Sequence, residues 1–427
     1  MKNLTSFCVV LLCSVAAIAQ QASKPPDVVA GIPVNYDESK VGTYTLPDLF
    51  ALSNGKRVTD AKTWLTKRRP EIVGLFEETQ FGKMPPRPRD LEFDVFEKGT
   101  PAFNGKAVRK QVIVYFTKDH EHKMDLLIYL PAKVKKAPLL LSISFAAPNQ
   151  IVDDPAVRVG EIWGRDNKLA KADRPTPFGK INVEQFIDAG FGFATVYYGD
   201  IEPDFKDGIR YGIRSVYLKP GQTAVANDEW GAISAWAWGL SRAMDYFDTD
   251  KDIDSKRVAL QGASRLGKTV LWAGAHDTRF AMVIASVSGE SGAALSRRNF
   301  GETVAHMTDP TRYLYQFAPN YHSYANRVND LPVDAHMLVA LIAPRPLLLQ
   351  TGSTDLWSDP KGEYLAAVAA EPVYRLFGKT GPTASTPPNP KDESLLLNDL
   401  GYYMHEGPHG VQPGDWTLFV KYMKKFL

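Results

Sequence analysis

Cysteine is almost absent from this chain. Of 427 residues only Cys8 and Cys13 are cysteines. Both fall in an N-terminal stretch built like a secretory signal, with Lys2, an apolar core and small residues at 17–19. We therefore predict a signal peptide over residues 1–19 and a secreted or periplasmic bacterial protein. The mature chain then lacks disulfides, thiol nucleophiles and thiolate ligands, so its core alone must stabilise it.

Two other interpretations of this N-terminal stretch are disfavoured. A membrane anchor would need a longer apolar run. A lipoprotein signal ending at Cys13 is weakened by the bulky Leu12 before it. No later stretch is long and apolar enough to cross a bilayer, so we expect no membrane partner.

A strong charge of one sign is also missing. The formal net charge is +2 and no basic stripe stands out, which argues against electrostatic binding of nucleic acid. His306, His322 and His336 could line a cleft, but no metal-ligand spacing such as H-E-x-x-H occurs. We expect no metal, no cofactor and a monomer.

What the chain does contain is a succession of strand and helix patterns. Apolar and polar residues alternate in three early runs, at 91–99, 108–117 and 123–132. This alternation predicts antiparallel strands with one buried face. Five later apolar runs lack this alternation, at 137–147, 191–200, 257–264, 280–289 and 345–355. Uninterrupted apolar runs are typical of strands buried on both faces. The fold class is therefore α/β, with a mostly parallel central sheet and helices on both faces.

Helical patterns and one polar insert complete the organisation. Residues 60–86 predict a helix that breaks and restarts at Pro70 and is stopped by Pro85-Pro86. Residues 228–249 predict the long helix that precedes the strand at 257–264. We expect one catalytic domain over residues 20–427, with the polar segment at about 149–180 inserted near the active site.

One serine stands at a junction between strand and helix. The segment VALQGASRLGK places Ser264 after an apolar run and before a helical pattern. This is the order of the nucleophile elbow of α/β-hydrolases, although Gly267 comes one position later than in G-x-S-x-G. Gly262 would permit a strained turn, and the backbone N–H of Arg265 would face a forming oxyanion. A serine acting only as a helix N-cap explains the same position.

Two later segments supply partners for a catalytic serine. In α/β-hydrolases the acid and the histidine follow the serine in chain order, each after a later strand. Asp355 follows such a strand pattern, and His409 lies in a Gly/Pro-rich loop before a C-terminal helix. His409 would take the Ser264 proton, and Asp355 would orient the imidazole. We interpret the nearby His405 as a packed histidine bonded to a backbone carbonyl.

Five segments together resemble carbohydrate esterase family 15, the glucuronoyl esterases: GASRLGK, SGESGAALSRR, LPVDAHMLVALIAPRPLLL, DLWSDP and HEGPHG. The resemblance covers roughly residue 123 to the C-terminus. The resemblance implies a three-layer α/β-hydrolase fold. It also implies cleavage of the ester between 4-O-methyl-glucuronate on xylan and an alcohol of lignin. The absence of cysteine fits a bacterial-type member.

The resemblance assigns roles residue by residue. It implies the nucleophile Ser264, the base His409, the oxyanion-stabilising Arg265, the uronate-binding Lys268, the sugar-flanking Trp357 and a polar sugar-binding Glu302. Each also has a purely structural interpretation. Lys268 could be a solvated helix residue, Trp357 a packing residue, and Arg265 the partner of a neighbouring carboxylate.

The catalytic acid departs from the fungal pattern. An ungapped match places the fungal glutamate position on Val287, which cannot serve, and Glu290 follows three residues later. Asp355 has the location usual for α/β-hydrolases, after the seventh strand. We expect Asp355 to be the acid, with Glu290 as the alternative. An acetyl-xylan or other carbohydrate esterase on the same triad remains the nearest alternative function, and a non-catalytic polysaccharide-binding protein the more distant one.

Overall fold

Strands and helices follow one another throughout the described chain. The structure, a computed structural model, describes residues 25–176 and 179–427. The predicted signal peptide lies outside the described residues. The strands of the described part are β1 (Val28–Val29), β2 (Ile32–Pro33), β3 (Glu92–Ala102), β4 (Ala107–Tyr115), β5 (Lys123–Pro131), β6 (Ala137–Ser144), β7 (Glu161–Trp163), β8 (Leu169–Lys171), β9 (Gly192–Tyr197), β10 (Ile253–Ala263), β11 (Met282–Ser286), β12 (Leu347–Gly352) and β13 (Leu400–His405).

The α-helices of the same residues connect these strands and cover them. They are α1 (Ala61–Thr63), α2 (Arg69–Thr79), α3 (Pro148–Ile151), α4 (Glu184–Asp188), α5 (Tyr198–Ile201), α6 (Ala232–Phe247), α7 (Arg265–His276), α8 (Val304–Met307), α9 (Ala335–Ala340), α10 (Pro360–Leu376) and α11 (Pro413–Phe426). None of those in the described ranges has the length and apolar character needed to span a bilayer.

Nine strands form the central sheet, in the order β13-β12-β11-β10-β6-β9-β5-β4-β3. The pairs from β13 to β9 are parallel, whereas β9, β5, β4 and β3 pair antiparallel. This confirms the predicted antiparallel start and parallel continuation. Strand β13 was not expected, because its residues read as part of the loop that leads to His409.

Both faces of the sheet are buried. Leu139 and Leu141 of β6 point into one apolar core, and Leu140 between them points into the other. Helices α2, α6, α7, α9 and α10 contribute to the first core, and α3, α4 and α11 contribute to the second. Such two-sided burial explains why these strands lack the polar alternation of the early ones. The predicted three-layer arrangement is confirmed.

The helical segment before the sheet differs from its prediction at Pro70. A π-helical turn, Trp64–Arg68, joins α1 to α2, and the N–H of Arg69 reaches the carbonyl of Trp64. Proline has no N–H and its ring would collide with the carbonyl four residues earlier, so a wider turn just before it keeps the helix continuous. The helix then ends at Thr79, ahead of Pro85-Pro86.

Candidate active site

Ser264 occupies a strained turn between β10 and α7. Its backbone has φ 59° and ψ −129°, in the region that L-residues rarely adopt. The positive φ of this turn belongs to Ser264 itself. Gly262 permits the turn, as expected, because a Cβ there would collide with the carbonyl oxygen of Leu266. Within the part of the chain that the structure describes, the Ser264 hydroxyl makes no capping bond to α7.

His409 and Asp355 meet above the neighbouring strands β13 and β12. His409 Nδ1 lies 2.6 Å from Asp355 Oδ2 and 3.2 Å from Ser358 Oγ. The Asp355 carboxylate is 5% exposed, whereas the imidazole is 42% exposed. Since Asp355 and His409 follow the carboxyl ends of adjacent parallel strands, their loops converge. The bond at Nδ1 leaves Nε2 available to exchange a proton with a nucleophile.

His405 has both ring nitrogens engaged in structural bonds. Its Nε2 lies 2.8 Å from the carbonyl oxygen of Pro408, and its Nδ1 lies 2.8 Å from Asp415 Oδ2. Although burial opposes its charged form, these two partners raise the pKa of His405. The expected bond to a backbone carbonyl is confirmed. It fixes Pro408, the residue next to His409.

Glu290 lies in a separate buried pocket of polar groups. One of its oxygens, Oε1, accepts from Ser296 Oγ at 2.6 Å and from the backbone N–H of Ser291 at 2.8 Å. Burial raises the pKa of Glu290 to about 8. The structure records no bond from Glu290 to His409 within residues 25–176 and 179–427. The geometry thus joins Asp355, and not Glu290, to the imidazole.

Glu290→Gln is expected to flatten the dependence of stability on pH. The ordinary pKa of this carboxyl is 4.5 and the folded value is about 8. Between these values the folded chain binds the proton that the unfolded chain has lost, so the free energy of unfolding falls as the pH rises. The variant lacks the contribution of Glu290 to this fall in the free energy of unfolding, which is at most about 1.4 kcal/mol per pH unit. Urea unfolding between pH 5 and pH 8 measures it.

The matched control for that experiment is Glu406→Gln. Glu406 is an exposed carboxyl paired with Lys391, and its pKa is lowered by that lysine. Its titration therefore falls below the pH range tested. This control variant should follow the wild-type pH profile, and a Glu290→Gln profile parallel to it would show that Glu290 is already ionised in the folded protein.

The Arg265 guanidinium is held beside the serine by a carboxylate and two rings. Nη1 donates to Asp204 Oδ2. The guanidinium carbon lies 5.1 Å from the centre of the Tyr313 ring and 5.9 Å from that of Phe145. Burial opposes the charge, but the adjacent Asp204 carboxylate raises the pKa of Arg265. The residue stays cationic, as a stabiliser of developing negative charge must.

A polar cavity of about 320 Å³ opens at Ser264. Seven of the eight residues predicted for the site line it, Glu290 being the exception. They are Ser264, Arg265, Lys268, Glu302, Asp355, Trp357 and His409. Val287, at the position of the fungal acid, lines it too. The cavity therefore brings a serine hydroxyl, an imidazole and several charged hydrogen-bonding groups to one place.

Lys268 is the most deeply buried cation of this cavity. Its side chain is 4% exposed, and Nζ donates to the carbonyl oxygen of Ser288 at 2.8 Å. Burial lowers the pKa of Lys268, while the nearby Glu302 carboxylate favours the charged form. An ammonium carries three donors, so one bond to Ser288 leaves two for other acceptors.

Arg312 also lines the polar cavity and was not found from the sequence. Its Nη2 donates to Glu302 Oε1 at 3.0 Å. The guanidinium carbon lies 4.7 Å from the Tyr313 ring centre and 5.3 Å from that of Trp357. Trp357, expected to flank a sugar, therefore presents its ring next to a fixed cation. No local motif around Arg312 distinguishes it from the chain's other arginines.

Glu363 is a second buried carboxyl that sequence reasoning missed. It accepts from the N–H of Gly289 at 2.7 Å and from Ser288 Oγ at 3.2 Å. Burial raises the pKa of Glu363 to about 8. By fixing the backbone of Ser288, it holds the carbonyl that binds Lys268. In the sequence this residue is one more acidic residue of a helical pattern, with nothing to mark it.

A second cavity, of about 480 Å³, also borders Ser264 and His409. It shares with the polar cavity only Ser264 and His409. Its walls are largely apolar and include Ile143, Phe145, Ile151, Ile181, Val411 and Trp416. Gly179 and Lys180, at the end of the predicted insert, also line it. A molecule that reacts at Ser264 can therefore extend in two chemically different directions.

Comparison with known proteins places this arrangement among esterases. A family model described as "Glucuronyl esterase, fungi" matches residues 225–378. A carbohydrate esterase of an unknown prokaryotic organism is 44% identical over 398 residues, which cover 91% of each chain. A 4-O-methyl-glucuronoyl methylesterase of Wolfiporia cocos is 26% identical, over 88% of this chain and 83% of its own.

Solved structures agree with the sequence relatives. A glucuronoyl esterase from Solibacter usitatus superposes with a TM-score of 0.86 at 45% identity, over 91% of this chain and 99% of that one. The glucuronoyl esterase catalytic domain from Hypocrea jecorina, at 20% identity and a TM-score of 0.58, shares the fold. The predicted α/β-hydrolase fold is thereby confirmed.

Proposed function

The chain belongs to carbohydrate esterase family 15, the glucuronoyl esterases, and is a carboxylic ester hydrolase; from this premise we propose its substrate and mechanism. The substrate is the ester that joins the (4-O-methyl-)glucuronate of glucuronoxylan to an alcohol of lignin. The enzyme acts outside the cytoplasm, secreted or periplasmic, as a single catalytic domain. Its relatives named as glucuronoyl methylesterases support hydrolysis of glucuronate esters.

The observation that carries this proposal is the polar cavity at Ser264. Pyranose hydroxyls need both donors and acceptors, and the cavity supplies Lys268 and Arg312 as donors and Glu302 as an acceptor. An acetyl group has no hydroxyl to pair with these groups and fills little of about 320 Å³. Buried polar groups left unpaired weaken the binding of such a substrate. A uronic acid therefore fits better than an acetyl ester.

The mechanism follows from the residues at the junction of the two cavities. His409 Nε2 takes the proton of Ser264 Oγ as the oxygen attacks the C6 carbonyl of the uronate. Arg265 stabilises the oxyanion, and Asp355 holds the imidazolium at Nδ1. When the tetrahedral intermediate collapses, His409 returns the proton to the departing alcohol. Water, activated by the same histidine, then releases glucuronate and regenerates Ser264.

The apolar cavity is the place for the alcohol. It borders Ser264 and His409 and contains none of the charged residues Arg265, Lys268, Glu302 and Arg312 of the polar cavity. Lignin alcohols carry aromatic rings, and Phe145 and Trp416 offer aromatic and apolar surface to them. The ester bond would then lie at the shared edge, with its acid side in the polar cavity and its alcohol side in the apolar one.

A comparison of two substrates tests the proposed function. The purified enzyme is assayed on benzyl glucuronate and on acetylated xylan. We expect a higher kcat/KM for the benzyl ester, because it occupies both cavities. Release of acetate without turnover of benzyl glucuronate would assign the enzyme to the acetyl-xylan esterases, with the same triad and a different substrate.

Lys268→Met is expected to weaken uronate binding while sparing the chemical step. The substitution keeps the length of the side chain but removes the donors that face the cavity. One hydrogen bond from a charged group is worth about 1.5–3 kcal/mol, so KM for benzyl glucuronate should rise about 10- to 100-fold. With kcat changed little, the loss is one of binding.

The same variant assayed on p-nitrophenyl acetate provides the control. This ester carries no sugar hydroxyls, so its KM should be the same for wild type and Lys268→Met. An equal rise in KM for both esters would show that Lys268 supports the shape of the cavity and does not bind the sugar.

A further inference from the structure

Asp204 collects an unusual number of donors next to the catalytic serine. It lies three residues beyond the end of α5, in the loop that follows this helix. Its Oδ1 accepts from Tyr315 Oη and from Gln316 Nε2, each at 2.8 Å. Its Oδ2 accepts from Tyr198 Oη at 3.1 Å and from Arg265 Nη1. The carboxylate thus joins three separate segments of the chain.

This carboxylate is buried and fully engaged, so its position is fixed. Its side chain is 5% exposed, against 28% for Arg265. The donors to Oδ1 come from the 314–316 turn, whose Gln316 also lines the polar cavity. A carboxylate only accepts, so it also sets which way the Gln316 amide faces. Four bonds to two oxygens leave Asp204 no alternative arrangement.

Arg265 is tied to Asp204 through only part of its guanidinium. The structure records a hydrogen bond from Nη1 and, among the described residues, no acceptor for Nε or Nη2. Tyr313 and Phe145 flank the group, so its plane is restricted as well. One anchored nitrogen and two flanking rings leave the other donors of Arg265 able to bond a group in the polar cavity, which Arg265 lines.

We propose that Asp204 is a positioning residue for oxyanion stabilisation, which it supports by holding the Arg265 guanidinium in place beside Ser264. The inference rests on the proposed role of Arg265. Long cationic side chains carry much rotamer freedom, and a donor accelerates the reaction most when it is oriented before charge develops. Asp204 supplies this orientation, whereas a freely rotating arginine would have to acquire it during each turnover.

Asp204→Asn separates this role from general packing. The amide oxygen can still accept from Tyr315 and Gln316, but the new NH₂ group would face the donor Nη1 of Arg265. The substitution therefore breaks the link to the guanidinium while keeping the shape of the side chain. We expect kcat on benzyl glucuronate to fall about tenfold with KM changed less than about threefold, a split that indicates a transition-state effect.

A double-mutant cycle with Arg265→Ala decides the proposal. If Asp204 acts through Arg265, then Asp204→Asn lowers kcat by less than about twofold once the arginine is gone, because contacting residues are not additive. Equal reductions in both backgrounds, or an increase in KM alone, would overturn the proposal. Should Asp204→Asn unfold at the assay temperature, Tyr315→Phe is used in the same cycle, with a smaller expected loss of kcat.

Two further measurements separate the proposed role of Asp204 from a general loss of stability and from a wrong substrate. Asp245→Asn removes another buried carboxylate, which pairs with Arg242 and Arg279 on and near α6. It should lower the melting temperature and leave kcat unchanged. The cycle is also run on p-nitrophenyl acetate, an ester attacked by the same serine. If the wild type hydrolyses this ester but not benzyl glucuronate, the proposed function fails while the cycle still tests Asp204.

Discussion

Asp355→Asn is expected to lower kcat on benzyl glucuronate by about 10⁴-fold, with little change in KM. The carboxylate oxygen lies 2.6 Å from His409 Nδ1 and therefore keeps the proton on that nitrogen. An asparagine amide can donate to Nδ1 instead, which places the ring proton on Nε2. In that tautomer the imidazole cannot accept the proton of Ser264, so the nucleophile stays unactivated.

The matched comparison for this variant is Glu290→Gln, the other carboxyl considered for the triad. Steady-state kinetics of the two variants, measured side by side, should show a large loss for Asp355→Asn and a kcat within about twofold of wild type for Glu290→Gln. The opposite order would make Glu290 the catalytic acid. Losses of similar size in both variants would mean that the two carboxyls share the role.

Arg265→Ala should lower kcat by about 10²–10³, the usual effect of losing one oxyanion donor. The backbone N–H of residue 265 remains at the start of α7, which leaves part of the oxyanion stabilisation intact. The side-chain cation, held by Asp204 between two rings, is lost. KM should change less than kcat, because the interaction forms mainly in the transition state.

The kinetic measurement needs a check on folding, since the substitution leaves Asp204 without its ionic partner. A melting temperature close to wild type, together with the fall in kcat, assigns the effect to catalysis. Arg265→Lys serves as the control, because it keeps the charge but not the planar fork of donors. Full turnover by Arg265→Ala would remove the guanidinium from the mechanism.

The residues that the sequence could predict lie in or near local signals. Ser264 and Lys268 belong to one short motif on a strand–turn–helix pattern. Asp355 follows a strand pattern, and His409 lies in a Gly/Pro-rich loop late in the chain. The order of elements in an α/β-hydrolase brings such loops to one edge of the sheet. The polar cavity accordingly contains most of the predicted site residues.

What the sequence could not reveal depends on contacts between distant segments. Asp204 and Arg265 are separated by 61 residues. Glu302 and Arg312 are only ten residues apart, but they meet because the chain folds back after α8. Nothing in the immediate neighbourhood of Asp204 marks it as different from other acidic loop residues. Its role follows from the four donors that tertiary structure brings to it.

Local geometry explains the corrected details of the fold. A proline after a helical run usually marks a break, yet a π-helical turn before Pro70 keeps the helix continuous. Gly262 was expected to permit a strained turn; it does so by providing clearance from α7, while the positive φ belongs to Ser264. In both cases the residue type indicated an irregular backbone conformation. Only the structure showed that it is a π-helical turn before Pro70 and a close approach of α7 at Gly262.

The most direct test of this account is the hydrolysis of benzyl glucuronate by the wild type and by Ser264→Ala, with the melting temperatures of both proteins recorded. We expect efficient turnover by the wild type and a loss of about 10⁶-fold in kcat for the equally folded variant. A wild type inactive on this ester would contradict the uronate assignment of the polar cavity. A Ser264→Ala protein that keeps its activity would place the nucleophile elsewhere.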